Sequence, residues 1–199
     1  MLRDSLQVRH LKIEFLYRLV RLLKKMKIII TDLTRFANQD IVCIAGINPE
    51  TYECIRPMPY ISKVTCQELN ILPGAIIEGT FTKRDCSVPH IEDRNSANLQ
   101  FLGPCSSQQF KYLLENTSFK SVADGFNVIL QSGQKYIPFD NPPDKSIITL
   151  ALNPHQLKIV EDIYRPGELR VIFTDQAGMS FRYLSITDLG FFEYELAPI

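Results

Sequence analysis

The feature that most constrains this chain is the shortness of its apolar runs. Val, Ile, Phe and Tyr cluster in stretches mostly four to eight residues long, such as Lys27-Ile28-Ile29-Ile30-Thr31-Asp32 and Ile41-Val42-Cys43-Ile44, and twelve Pro and nine Gly punctuate them. Runs of this length ended by turn formers are strands, and their number points to a β-barrel or β-sandwich class. With 199 residues and 45% apolar content, the chain can bury one ordinary core or two small ones sharing an interface.

Strands are predicted near residues 27–32, 40–47, 51–56 and 75–83. Asn38-Gln39-Asp40 and Asn48-Pro49-Glu50-Thr51 supply turn chemistry between the first three, so a meander of antiparallel neighbours is the simplest connection. Gly79 interrupts the run from Ala75 to Phe81, which suggests a bulge or a close backbone approach. Ser106 is a candidate N-cap for a helix over 106–116 that places Phe110, Leu113 and Leu114 on one side. A Pro/Asp-rich loop at 138–144 precedes strands near 147–152, 157–162, 168–174 and 179–186, with Gln176-Ala177-Gly178 joining the last two as a hairpin. Strands, a helix and strands again divide the chain into units at 26–105 and 126–199, with a helix and linker over 106–125. Ile30-Thr31-Asp32-Leu33 is echoed by Ile186-Thr187-Asp188-Leu189, which reads as turn chemistry first and duplication second.

Charge separates the start from the rest. Residues 1–25 carry seven Lys/Arg against Asp4 and Glu14, a net +5, and the remainder carries a net −5. Leu11, Phe15, Leu16, Leu19, Leu22 and Leu23 fall on one face at helical spacing, which predicts a basic amphipathic helix. Such a helix can lie on an anionic membrane surface, dock in a partner's groove or track phosphates. The alternative is that Met26 is the natural start and that 1–25 is an upstream extension, since a strand opens at the next residue. Charges inside the segment and the lack of a small-residue cleavage site argue against a signal peptide. No window of eighteen apolar residues exists, so integral membrane association is not expected and the cytoplasm is the default compartment.

Cys43, Cys54, Cys66, Cys86 and Cys105 are odd in number, form no C-x-x-C pair and sit partly within apolar runs, so they read as reduced thiols. Their spacing does not supply a zinc site. Neither G-x-G-x-x-G nor the P-loop pattern occurs, which removes nucleotide-dependent motors from consideration. No cofactor is expected. His10 and His155 read as helix-surface and turn residues.

Several pieces in order resemble the bacterial dual OB-containing domain family. They are the opening strand, Val42-Cys43-Ile44-Ala45-Gly46-Ile47 followed by Cys54-Ile55-Arg56-Pro57, Pro73-Gly74 leading a strand, Pro89-His90-Ile91-Glu92-Asp93, and Tyr183-Leu184-Ser185-Ile186-Thr187-Asp188. The resemblance spans residues 27 to about 190. It implies a mostly β fold of two five-stranded Greek-key OB-like barrels with one connecting helix, and a binding role.

Pro89-His90-Ile91-Glu92-Asp93-Arg94 is the densest polar constellation after residue 25. His90 with a carboxylate could act as general base and orienter, and His90 with Glu92 could present two hard-metal ligands on one strand face. A solvated turn or local salt bridge is the plainer reading. Arg56, between a strand and Pro57, could contact phosphate or pair with Glu92 or Asp93. For an OB-type barrel, single-stranded DNA or RNA would be gripped by aromatics with Lys/Arg alongside. Tyr52, Phe81-Thr82-Lys83-Arg84 and Phe181-Arg182-Tyr183 show that interleaving, and Arg94 adds a cation. Against it stand the net charge of −5 after residue 25 and the frequent core role of alternating aromatics. The expected function is a non-enzymatic binding module for single-stranded nucleic acid or a protein partner. The alternatives are a small metal-assisted hydrolase or nuclease using His90, Glu92 and Asp93, and an accessory subunit docked by its N-terminal helix.

Overall fold

The computed structural model describes residues 25–86 and 88–191, and the basic segment read as an amphipathic helix lies almost wholly outside them. The fold is mostly β. Its first strand, β1 (Met26–Arg35), shows why three isoleucines stand together. Ile28 and Ile30 point into the main core, while Ile29 points the other way and is only 4% exposed. A strand covered on both faces reads as a continuous apolar run, since neither face meets water.

β2 (Ile41–Ile47) and β3 (Cys54–Met58) follow as antiparallel neighbours. The turn between them is built by Asn48, whose Oδ1 accepts from the amides of Glu50 and Thr51, with Tyr52 in the left-handed region at φ 60°. This turn takes residues 51–53 out of the strand expected near 51–56. After β4 (Ile61–Ser62), the Ser62 hydroxyl caps α1 (Lys63–Glu68), which buries Cys66 in the main core. β5 (Ala75–Lys83) pairs with β1, and β6 (Asp93–Pro104) pairs antiparallel with β5 and parallel with β3. Pairing therefore runs β1-β5-β6-β3-β2, and β2 returns to β1. At Gly79 the β5–β6 register shifts, opposite Asn98 at φ 55°, and a Cβ there would lie 2.7 Å from Leu99 Cδ2. The glycine thus makes the expected close approach and faces a bulge whose extra residue lies on β6.

α2 (Ser107–Thr117) starts with the reciprocal capping box of Ser106 and Gln109 and lays Leu113 over Ile29 and Ile47. Beyond it lie β7 (Ser118–Phe119), α3 (Val122–Phe126) and β8 (Thr149–Leu150), the two strands pairing in parallel. β9 (Leu157–Glu161), β10 (Leu169–Thr174) and β11 (Ser180–Ser185) make a three-stranded antiparallel sheet. The expected hairpin forms at 176–178, where the buried Asp175 carboxylate accepts from the amides of Ala177 and Met179 and also from Val122. The strand expected near 147–152 is reduced to two residues.

The two echoing Thr-Asp segments lie side by side. The Arg35 amide donates to the Thr187 carbonyl at 2.9 Å, and Thr34 forms a bridge with Asp188. Among the described residues no helix is long and apolar enough to cross a membrane.

Candidate functional site

The parallel β3–β6 register sets Arg56 opposite Asp93, and Arg56 Nε donates to Asp93 Oδ1 at 2.6 Å. Arg56 Nη2 also lies 2.9 Å from His90 Nδ1. A guanidinium only donates, so Nδ1 is the acceptor. Burial alone would lower the Arg56 pKa, but the hydrogen bond and charge of Asp93 outweigh it and hold it above its ordinary value. Both side chains of the pair are 12% exposed. Of the two roles the sequence allowed Arg56, the structure shows the pairing with Asp93: Nε and Nη2 are engaged by Asp93 and His90, and Arg56 does not line the cleft described below.

Glu92 diverges from its neighbours. It is 3% exposed, and its carboxylate accepts from the Ser146 amide (2.7 Å), the Ser146 hydroxyl (3.0 Å) and the Ile147 amide (3.1 Å). His90 and Asp93 thus converge on Arg56 while Glu92 pins the later segment. Among the described residues no group of three or more His, Cys, Asp and Glu is placed to hold a metal. The His90/Glu92/Asp93 arrangement of a metal-assisted hydrolase is accordingly not assembled. Glu92→Ala leaves three donors without their acceptor and is expected to cost about 2 kcal/mol, read as a lower urea midpoint.

Between the paired ring and the later segment lies a cleft of about 700 Å³. Lys83 and Arg84 reach it from the end of β5, and Lys145 reaches it from the far side of the 138–144 loop. Among the described residues none of the three is in an ion pair: Arg84 Nη1 donates to Asn95 Oδ1 at 3.4 Å, and Lys145 Nζ stands 4.9 Å from the centre of the Phe119 ring. Arg94 also lines the cleft, but it is held by Glu53 and by the carbonyls of Ile91 and Asp93. Tyr52 presents a 39% exposed ring there, and a hydrogen bond with Tyr112 raises its phenol pKa.

Two further cleft groups are electrostatically distinctive. Burial, then the nearby Glu92 and Asp32 carboxylates, pushes the Cys54 thiol up to about 12, so it stays protonated near neutral pH and is no nucleophile. Asp32 opens to the cleft. Desolvation raises its carboxyl pKa, the Thr31 hydroxyl opposes the rise, and the Asp188 charge adds to it.

The other aromatic candidates separate. Phe81 is partly buried against the main core and does not line the cleft, and Phe181 is 5% exposed and stacked on Phe173 at 5.0 Å, so its ring is not open to a base. The assignment of Phe181 as a nucleic-acid contact is corrected to core packing. Arg182 and Tyr183 are exposed on β11 but do not line the cleft. Sequence reasoning missed Asp32, Phe119 and Lys145. The Thr-Asp echo was the one signal that touched Asp32.

No protein-family model matches the chain, and neither a curated protein nor a solved structure matches it.

Proposed function

We propose that this chain is a non-enzymatic module that binds single-stranded nucleic acid, with the cleft as its contact surface. The observation that carries the reading is the gathering of Lys83, Arg84 and Lys145, free of carboxylate partners among the described residues, beside the exposed Tyr52 ring. Cations alongside aromatics are what a strand without base pairing requires, phosphates for the first and base faces for the second. The strand order supports an OB-type barrel as the scaffold. Five strands pair in the sequence β1-β2-β3-β6-β5 and back to β1, with the crossover that a Greek key needs. On this reading, which extends the resemblance to the dual OB-containing domain family, the β9–β11 sheet with β7–β8 is an abbreviated counterpart of a second barrel.

The test is anisotropy of a labelled nonathymidylate, d(T)9, and its RNA equivalent across a salt titration. Three phosphate contacts predict a slope of log K against log salt of about −2 for a single strand. The triple variant Lys83→Ala, Arg84→Ala, Lys145→Ala is expected to flatten that slope and to lose about tenfold or more in affinity at low salt. Unchanged binding by the triple variant would overturn the cleft as the contact surface.

A further inference from the structure

We propose that Asp32 reads the base of a bound strand and favours guanine over thymine and uracil. The inference rests on the single-strand reading above and deepens it. It begins with the backbone. Ile30 pairs with Gly46 and Asp32 pairs with Ala45, so Thr31 is an extra residue in β1 with no partner in β2. Alternation along a strand would send Thr31 and Asp32 to opposite faces, yet both line the cleft. A bulge re-aims side chains in this way. The residues on either side, Ile30 at 0% and Leu33 at 3% exposed, are core, so the strand interrupts a buried run to present one polar pair.

The carboxylate is poorly supplied with partners. Thr31 Oγ1 donates to Asp32 Oδ2 at 2.5 Å, and among the described residues no other hydrogen bond and no ion pair reaches it. The charged group that acts on it is Asp188, a second carboxylate that repels it. The three free cations of the cleft hold other positions. A phosphate is excluded from the neighbourhood of Asp32 by like charge, and what an uncompensated carboxylate accepts is an N–H donor.

Within a DNA strand, such donors come from the bases. Guanine sets its ring N–H and its exocyclic amino group side by side on one edge, a match for a carboxylate's two oxygens. Cytosine and adenine supply an amino group alone. Thymine and uracil supply one N–H between two carbonyl oxygens, which the carboxylate repels. Single strands are read on these edges, because no complementary base occupies them. The phosphates then fall to Lys83, Arg84 and Lys145 while the base edge falls to Asp32, which divides the cleft between backbone and base contacts.

The test uses the full chain with labelled d(T)9 and d(TTTTGTTTT), DNA being chosen so that no ribose hydroxyl competes as donor. The wild-type protein is expected to bind the guanine-containing strand about tenfold more tightly than d(T)9, the scale of a charge-assisted bidentate contact. In Asp32→Asn and Asp32→Ala that ratio is expected to fall to about one. Because a ratio is read within each variant, a change in overall folding does not imitate the result. Equal affinity of the wild type for both strands would overturn the inference and leave the single-strand reading standing. A guanine preference that survives in Asp32→Ala would overturn the assignment to Asp32. Absence of binding to either strand would overturn both the inference and the reading beneath it.

Discussion

Replacing Arg56 by Met is expected to lower stability by about 3 to 5 kcal/mol, read as a fall in the urea midpoint at unchanged slope. The loss does not come chiefly from the attraction that is removed. It comes from Asp93, which keeps its mostly buried position on β6 with its charge uncompensated, and from His90, whose ring nitrogen loses its donor. The double variant Arg56→Met, Asp93→Leu is therefore expected to recover a large part of the loss, since a well-packed apolar pair can replace a buried ion pair at little cost. Recovery separates this explanation from one in which Arg56 acts through packing alone. A loss below about 1 kcal/mol would class the pair with ordinary surface ion pairs instead.

Gly46→Ala is the second large effect, expected at about 3 kcal/mol, and its cause is backbone rather than side chain. An added Cβ would stand 2.8 Å from the Ile29 carbonyl oxygen and 3.1 Å from its carbonyl carbon, on the paired strand β1. Neither atom can turn away without moving the β1–β2 pairing, which also closes the ring of strands. Gly79→Ala makes the control. Its nearest neighbour, at 2.7 Å, is the end of the Leu99 side chain, which can rotate, so the same chemical change is expected to cost clearly less there. Thermal unfolding of the two variants side by side measures the difference. Equal losses would show that crowding of any kind, rather than contact with fixed backbone, sets the cost.

Much of the scaffold was legible because its cues are local. The isoleucines of β1, the Ser106 N-cap and the Gln176-Ala177-Gly178 turn each act within a few residues, and each appears where the spacing places it. β6 was not legible. Its opening residues Asp93-Arg94-Asn95-Ser96 are polar and poor in β-formers, and Leu99 and Phe101 alone mark its inner face. Its place is fixed by β3 and β5 on either side, a tertiary cause that no window of sequence contains. The same distinction divides the candidate site. Lys83 and Arg84 were visible as neighbours of an aromatic. Lys145 and Phe119 join them only because the chain returns to the ring, Asp32 does so through a bulge in β1 that no sequence pattern marks, and Phe181 was misassigned because alternation alone cannot say which face of a sheet is covered.

The join between Thr34–Arg35 and Thr187–Asp188 sets an order of events during synthesis. All five strands of the ring have left the ribosome once residue 104 has emerged, so the first half holds everything its own pairing needs. The segment that caps the end of β1 arrives some 150 residues after the strand it covers. Closing so long a span carries a larger entropic cost than any contact within the ring, and it waits for translation in any case. A nascent chain halted near residue 125 therefore presents the end of β1 without its cover, and the segment that follows β11 is what seals it.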